Sequence, residues 1–295
     1  MLAGTVLLWA LNVTVTRYVL VHGFRPLAYA TTRYFAATAL FVGFTWRRER
    51  TFRIRLADGK LVALAGLLLF ANQICFVTSI RLTNASTVAL MLGAAPVFAA
   101  LFAGAAGLER VGASFWAAAA IAFAGVGLVA GSGVSGDVGG DLLAIATAVT
   151  WAGYSVSIVP LMRRYSPFRV SALVLAVGWV PLALVSAPEL AAQGYGGFGW
   201  TVWLGFGYAV VGPLFLTNIL WFTAIARVGP SRATLFTTIQ PFFAVLFAVV
   251  LLSEALDRFE LAGAAAIAAG IALERLRWGR RRRTSPELAE TDVAL

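Results

Sequence analysis

Uncharged, apolar segments of about 20 residues follow one another along most of this chain, and that is the length a helix needs to cross a bilayer core. Composition agrees with this reading. Hydrophobic residues make up 60% of the chain and charged residues 12%, where a soluble domain carries about a quarter charged residues. The chain therefore reads as an all-α polytopic membrane protein. Its one cysteine, Cys75, falls inside an apolar segment and leaves no intrachain disulfide to form. The opening stretch "MLAGTVLLWALNVTVTRYVL" has no basic residue ahead of its apolar run and no convincing cleavage site, so it reads as a first transmembrane helix and not as a signal peptide.

Charges and Gly/Pro breaks divide the chain into ten expected spans, at 3–21, 27–46, 60–80, 84–107, 111–131, 141–162, 168–187, 199–225, 230–252 and 258–277. Basic residues then fall mostly on one side. Six lie in the loop "RRERTFRIRLADGK" and six in the tail around "RLRWGRRRR". The loops after spans four, six and eight add Arg110; Arg163, Arg164 and Arg169; and Arg227 and Arg232. Eighteen of the 23 Lys and Arg thus share one side, which places both termini in the cytoplasm. This also accounts for the net charge of +10 without nucleic acid as a partner.

Two stretches read alike. "AAPVFAALFAGAAGLE" (94–109) and "IQPFFAVLFAVVLLSE" (239–254) agree at seven of sixteen positions, with Pro96/Pro241 and Glu109/Glu254 in register. The same offset of 145 pairs Ser86 with Ser231 and Gly125 with Gly270, and it slips to 142 for Trp9-Ala10 and Trp151-Ala152. The expected organisation is two five-helix repeats, 1–135 and 136–278, followed by a basic, disordered cytoplasmic tail, 279–295. Five is odd, so the two halves would lie inverted in the membrane, the arrangement of many secondary transporters. Such halves give inward-open and outward-open states of similar energy, as alternating access requires. Pro96 and Pro241 would kink spans four and nine and free the carbonyls of Leu92 and Thr237, so they are the candidate gating residues. Spans five and ten, rich in Ala and Gly, would pack closely as scaffold.

Ten spans in two inverted halves, a first helix bearing Trp9 and Asn12, and the proline-to-glutamate stretches 96–109 and 241–254 resemble the drug/metabolite transporter superfamily. The halves resemble EamA domains over roughly residues 1–277. Within the superfamily the likeness is greatest to YddG-type exporters of aromatic amino acids in the bacterial inner membrane. The resemblance implies export of amino acids and related amphipathic compounds. Hydrophobic cations, the substrates of multidrug members of the same fold, are the alternative.

A substrate site is expected near the midplane where the repeats meet. The polar and aromatic candidates at that depth are Trp9, Asn12, Asn72, Gln73, Phe76, Met91, Trp151, Tyr154, Asn218, Trp221 and Gln240. Amide donors between aromatic walls suit a zwitterion with an apolar side chain. No carboxylate falls mid-span. Glu109, Glu254 and Glu260 sit at span ends, and Asn12 stands where small multidrug transporters carry an acidic residue. A buried acidic coupling site is therefore not expected. Arg33 in span two is the lone buried basic candidate and is expected to snorkel to the interface or pair locally. His22 has no neighbour with which to form a catalytic pair, and no clustered acids, metal ligands or cofactor motif stand out, so neither an enzyme nor a metal or cofactor site is expected. The internal repeat supplies its own pseudo-two-fold partner, so a monomer is expected.

Overall fold

A computed structural model describes residues 2–107, 113–130, 137–220 and 240–284. Every regular element in them is helical: α1 (Leu2–Val21), α2 (Pro26–Glu49), α3 (Leu56–Leu82), α4 (Ala85–Leu92), α5 (Ala95–Ala105), α6 (Ala113–Ala130), α7 (Val138–Ser157), α8 (Val159–Met162), α9 (Pro167–Ala191), α10 (Trp200–Ala209), α11 (Gln240–Leu252) and α12 (Arg258–Thr284). A π-helical turn, Val210–Leu216, continues α10. Among the described residues, six segments are long and apolar enough to cross a membrane: Ala3–Val21, Leu56–Leu82, Ala85–Ala105, Val138–Met162, Pro167–Ala191 and Trp200–Leu220. The architecture is thus that of an all-helical, multi-pass membrane protein.

Local chemistry sets the helix ends. Pro26 and Pro167 open α2 and α9, where the missing N–H is no loss and φ is already helical. Asp137 caps α7 by accepting from Gly139 N at 2.8 Å, and Ser166 caps α9 by accepting from Arg169 N at 3.1 Å. Asp257 and Glu260 form a reciprocal capping box on α12, with bonds of 2.7 and 3.2 Å.

Two helix starts are capped by carboxylates from elsewhere in the chain. Glu189 accepts from Leu27 N and Ala28 N at 2.7 and 3.2 Å. Glu254 accepts from Ala85 N, Ser86 N and Ser86 Oγ at 2.8–3.0 Å. Each carboxylate meets the unpaired N–H groups and positive end of the helix it caps.

The fourth apolar stretch is broken rather than smoothly kinked. α4 ends at Leu92, α5 starts at Ala95, and Pro96 lies in the first turn of α5. The break falls at Gly93–Ala94. A methyl group at Gly93 would stand 3.2 Å from Pro241 and from Ile267, so this break packs against the proline of α11 and against α12. α6 and α12 touch backbone to backbone: a Cβ at Gly125 would lie 2.7 Å from Gly263 O, and one at Gly263 would lie 2.5 Å from Val129 Cγ2. Gly127 has open space beside it and takes no part in this seam.

Candidate functional site

The most polar part of the interior begins at Arg33. It is 1% exposed, although it carries a charge and lies well inside α2, beside Thr31, Thr32 and Tyr34. It lies seven residues into the helix, about 10 Å along the axis at the α-helical rise. Its Nη2 donates to Gln73 Oε1 at 2.6 Å and its Nη1 to Asn12 Oδ1 at 3.3 Å. The guanidinium also rests on two rings, 4.9 Å from the Tyr29 centroid and 5.6 Å from that of Tyr34. Its Nε has no hydrogen-bond partner among the described residues.

The chain of bonds continues inward. Gln73 Nε2 donates to Asn72 Oδ1 at 3.0 Å, and Asn72 Nδ2 donates to Thr147 O at 2.9 Å and Thr150 Oγ1 at 3.3 Å. One network thus links α1, α2, α3 and α7. Adjacent residues of α3 can serve two neighbours because successive side chains point about 100° apart around a helix, so Asn72 faces α7 while Gln73 faces α2.

Aromatic side chains gather on the same helices. Trp9 of α1 meets Trp151 of α7 edge-on, with centroids 6.2 Å apart, and Trp151 lies 5.4 Å from Tyr154. Trp9 Nε1 donates to Pro213 O at 3.2 Å, and Tyr208 Oη donates to Leu8 O at 2.7 Å. Pro213 sits in the π-helical turn, where a carbonyl freed from the helical ladder can accept from a neighbouring helix.

The structure thus brings together Trp9, Asn12, Asn72, Gln73, Trp151 and Tyr154 of the sequence candidates. Phe76 and Met91 are buried in the hydrophobic core. Asn218 turns back on its own helix and donates to Leu214 O at 2.5 Å. Gln240 is the first residue of α11. Trp221 and Glu109 lie outside the described residues.

Sequence reasoning did not place Arg33, Thr147 and Thr150 in the site. For Arg33 a signal was present, since an ionisable residue inside an apolar span marks function by default. Its short distance from the start of α2 made snorkelling equally plausible, and only its rotation toward α1 and α3 decides the matter. The expectation that Arg33 snorkels to the interface is corrected accordingly: its guanidinium is buried and bonds Asn12 and Gln73.

The helix ends differ in chemistry. Arg164 Nη1 meets Asp58 at 2.5 Å, and Arg169 Nη2 meets Glu49 at 2.6 Å. Tyr165 Oη also donates to Asp58, at 2.7 Å, and Ser166 bonds Glu49. These contacts fasten the α2–α3 connection to the start of α9. Beside them is an open cavity of about 480 Å³ lined by Arg53, Ile54, Arg55, Arg164 and Tyr165.

Comparison with known proteins adds the following. The family model described as "EamA-like transporter family" matches twice, over residues 1–131 and 138–274. A protein of Streptantibioticus cattleyicolor described as a probable terminal-alkyne amino-acid exporter is 28% identical over 239 residues, 79% of each chain. An uncharacterized transporter of Archaeoglobus fulgidus is 25% identical over 233 residues, 72% of this chain and 74% of its own. A crystal structure at 21% identity superposes with a TM-score of 0.65, covering 94% of this chain and 96% of the other, and supports the fold.

Proposed function

The chain belongs to the EamA-like transporter family, and from that premise we propose that it exports neutral, above all aromatic, amino acids and related amphipathic compounds across the bacterial inner membrane. The observation that carries this reading is the network Asn12–Arg33–Gln73–Asn72 beside Trp9, Trp151 and Tyr154. Amides and a guanidinium can meet the polar end of an amino acid, and the rings can meet its side chain. The similarity to a described amino-acid exporter supports the same cargo class. A fixed cation at the centre weighs against hydrophobic cations as cargo, since like charges repel strongly at low dielectric.

The transport cycle proposed is alternating access by ten spans arranged as two inverted five-helix repeats, 1–135 and 136–278, with both termini cytoplasmic and the monomer as the working unit. Two separate matches of one family model support a duplicated unit. Pro96 and Pro241 are the proposed gating positions. The helix break at Gly93–Ala94, packed against Pro241, supplies a place where two spans can bend together.

The test is counterflow in proteoliposomes. Vesicles loaded with unlabelled tryptophan or phenylalanine are diluted into tracer and compared with protein-free vesicles and with Asn72→Ala. Transient tracer accumulation in the parent that is lost in the variant is the expected result. No accumulation with any neutral amino acid overturns the substrate assignment.

A further inference from the structure

We propose that Arg33 is the carboxylate anchor of the transported solute, so that the chain selects compounds bearing a free carboxylate over their amides. The proposal rests on the transporter reading above and names the group by which that site recognises its cargo.

The first argument is charge balance. Arg33 is fully buried, and its bonds go to two neutral amide oxygens, one of them at a long 3.3 Å. The ion pairs found among the described residues join Arg164 to Asp58 and Arg169 to Glu49, and neither includes Arg33. Moving a guanidinium into a low-dielectric interior costs several kcal/mol. Amide oxygens and ring faces return only part of that. An anion reaching Arg33 therefore gains an interaction that the protein itself leaves unmade.

The second argument is geometric. Arg33 Nε is buried without a partner. A guanidinium presents a planar fork that meets a carboxylate with two parallel bonds, and Nε forms one edge of that fork. Two rings hold the plane in place, so little side-chain freedom remains to be lost on binding. A residue serving only as a strut between α1, α2 and α3 needs no charge, since neighbouring Asn72 joins α3 to α7 with an amide alone.

The third argument is connectivity. Arg33 Nη2 binds Gln73, Gln73 binds Asn72, and Asn72 binds α7. A carboxylate that draws Arg33 away from Gln73 Oε1 frees that amide and alters the link between α3 and α7. Anion binding is thereby coupled to the packing of helices that the transport cycle must rearrange.

The test is competition against tryptophan counterflow in proteoliposomes, with L-tryptophan, L-tryptophanamide and indole-3-propionate as competitors. The parent is expected to prefer the acid over the amide by about tenfold or more, about 1.4 kcal/mol, and to be inhibited by indole-3-propionate. Arg33→Gln should bring the acid-to-amide ratio close to one, and Arg33→Lys should keep part of the preference. A purely structural role lowers the rate or the melting temperature and leaves the ratio where it was.

Equal recognition of acid and amide by an active parent overturns the anchor alone. An unchanged ratio in an active Arg33→Gln does the same. If neither variant folds, the parent's preference decides by itself. An absence of counterflow with every amino acid overturns the amino-acid assignment and the anchor with it, and leaves the family fold standing.

Discussion

Arg164 and Arg33 carry the same side chain and are satisfied in opposite ways. The side chain of Arg164 is 50% exposed and meets the Asp58 carboxylate at 2.5 Å, and nearby Arg169 meets Glu49. Arg33 is 1% exposed and bonds to the amides of Asn12 and Gln73. At the helix ends each acid has an arginine beside it, so the two charges cancel each other and fasten loops, even for Asp58, whose side chain is 3% exposed. Around Arg33 the chain supplies amides in place of acid; the buried carboxylate of Glu260, expected from its span-end position to lie near water, accepts from Thr87 Oγ1 instead. The end pairs are closed contacts, whereas the interior cation retains attraction for an anion from outside the chain.

The most severe way to break this contrast is to give the interior what the helix ends already have. Gln73→Glu changes an amide to a carboxylate of nearly the same shape, 2.6 Å from Arg33 Nη2. The charge is then cancelled within the protein. We expect a folded variant with a melting temperature equal to the parent's or higher, and counterflow reduced by about 100-fold, near 2.7 kcal/mol. Melting in detergent and counterflow in proteoliposomes read the two effects separately. Full transport by a stable Gln73→Glu would show that the cation need not be free to act.

The seam between α6 and α12 offers a control with no charge in it. A Cβ at Gly263 would stand 2.5 Å from Val129 Cγ2 and 2.6 Å from Gly125 O. Gly263→Val must therefore push the two helices apart, a form of overpacking that costs about 1–3 kcal/mol. The melting temperature should fall, while the acid-to-amide preference of the molecules that remain folded stays as in the parent. A change in that preference would mean that recognition is spread through the scaffold and not concentrated at Arg33.

Sequence reasoning went furthest where one physical rule acts alone. Helix limits followed from apolar run length and Gly/Pro breaks: 3–21 became Leu2–Val21 and 84–107 became Ala85–Ala105. Close packing of the fifth and tenth apolar stretches followed from their small residues and appears as the Gly125–Gly263 contact. The site was legible in part. Trp9, Asn12, Asn72, Gln73, Trp151 and Tyr154 stood out because polar and aromatic groups are few at that depth. Phe76, Met91 and Asn218 stood out for the same reason; the first two lie in the core cluster that also holds Tyr29 and Tyr34, and the third bonds its own helix. Sequence gives a residue's depth but not its rotation about the helix axis, and rotation decides which helix a side chain meets. Thr147 and Thr150 escaped notice because a hydroxyl in a membrane helix usually bonds the carbonyl four residues back. Both do so here, to Leu143 O and Ala146 O, and Asn72 meets the backbone carbonyl of Thr147 and the hydroxyl of Thr150. The carboxylate caps were half legible: Glu254 was expected near water, and the structure adds the N-terminus of α4 as its partner.

The smallest expected effect lies at the helix ends. Arg164→Ala removes an arginine whose side chain is half in water, and Asp58 keeps its bond from Tyr165 Oη at 2.7 Å. Asp58 is itself 3% exposed but keeps this second donor, and a pair whose arginine is half in water contributes about 0–1 kcal/mol, so the melting temperature should shift by no more than a few degrees. Salt should erase even that, because added ions screen an accessible pair far better than a buried cation. Raising KCl from low to high concentration is therefore expected to merge the melting curves of the parent and Arg164→Ala. The acid-to-amide preference set at Arg33 should survive the same change, since a group 1% exposed is screened far less than one half in water. Equal sensitivity of the two arginines to salt would place Arg33 in contact with water and remove the physical basis for treating the helix ends and the interior as different environments.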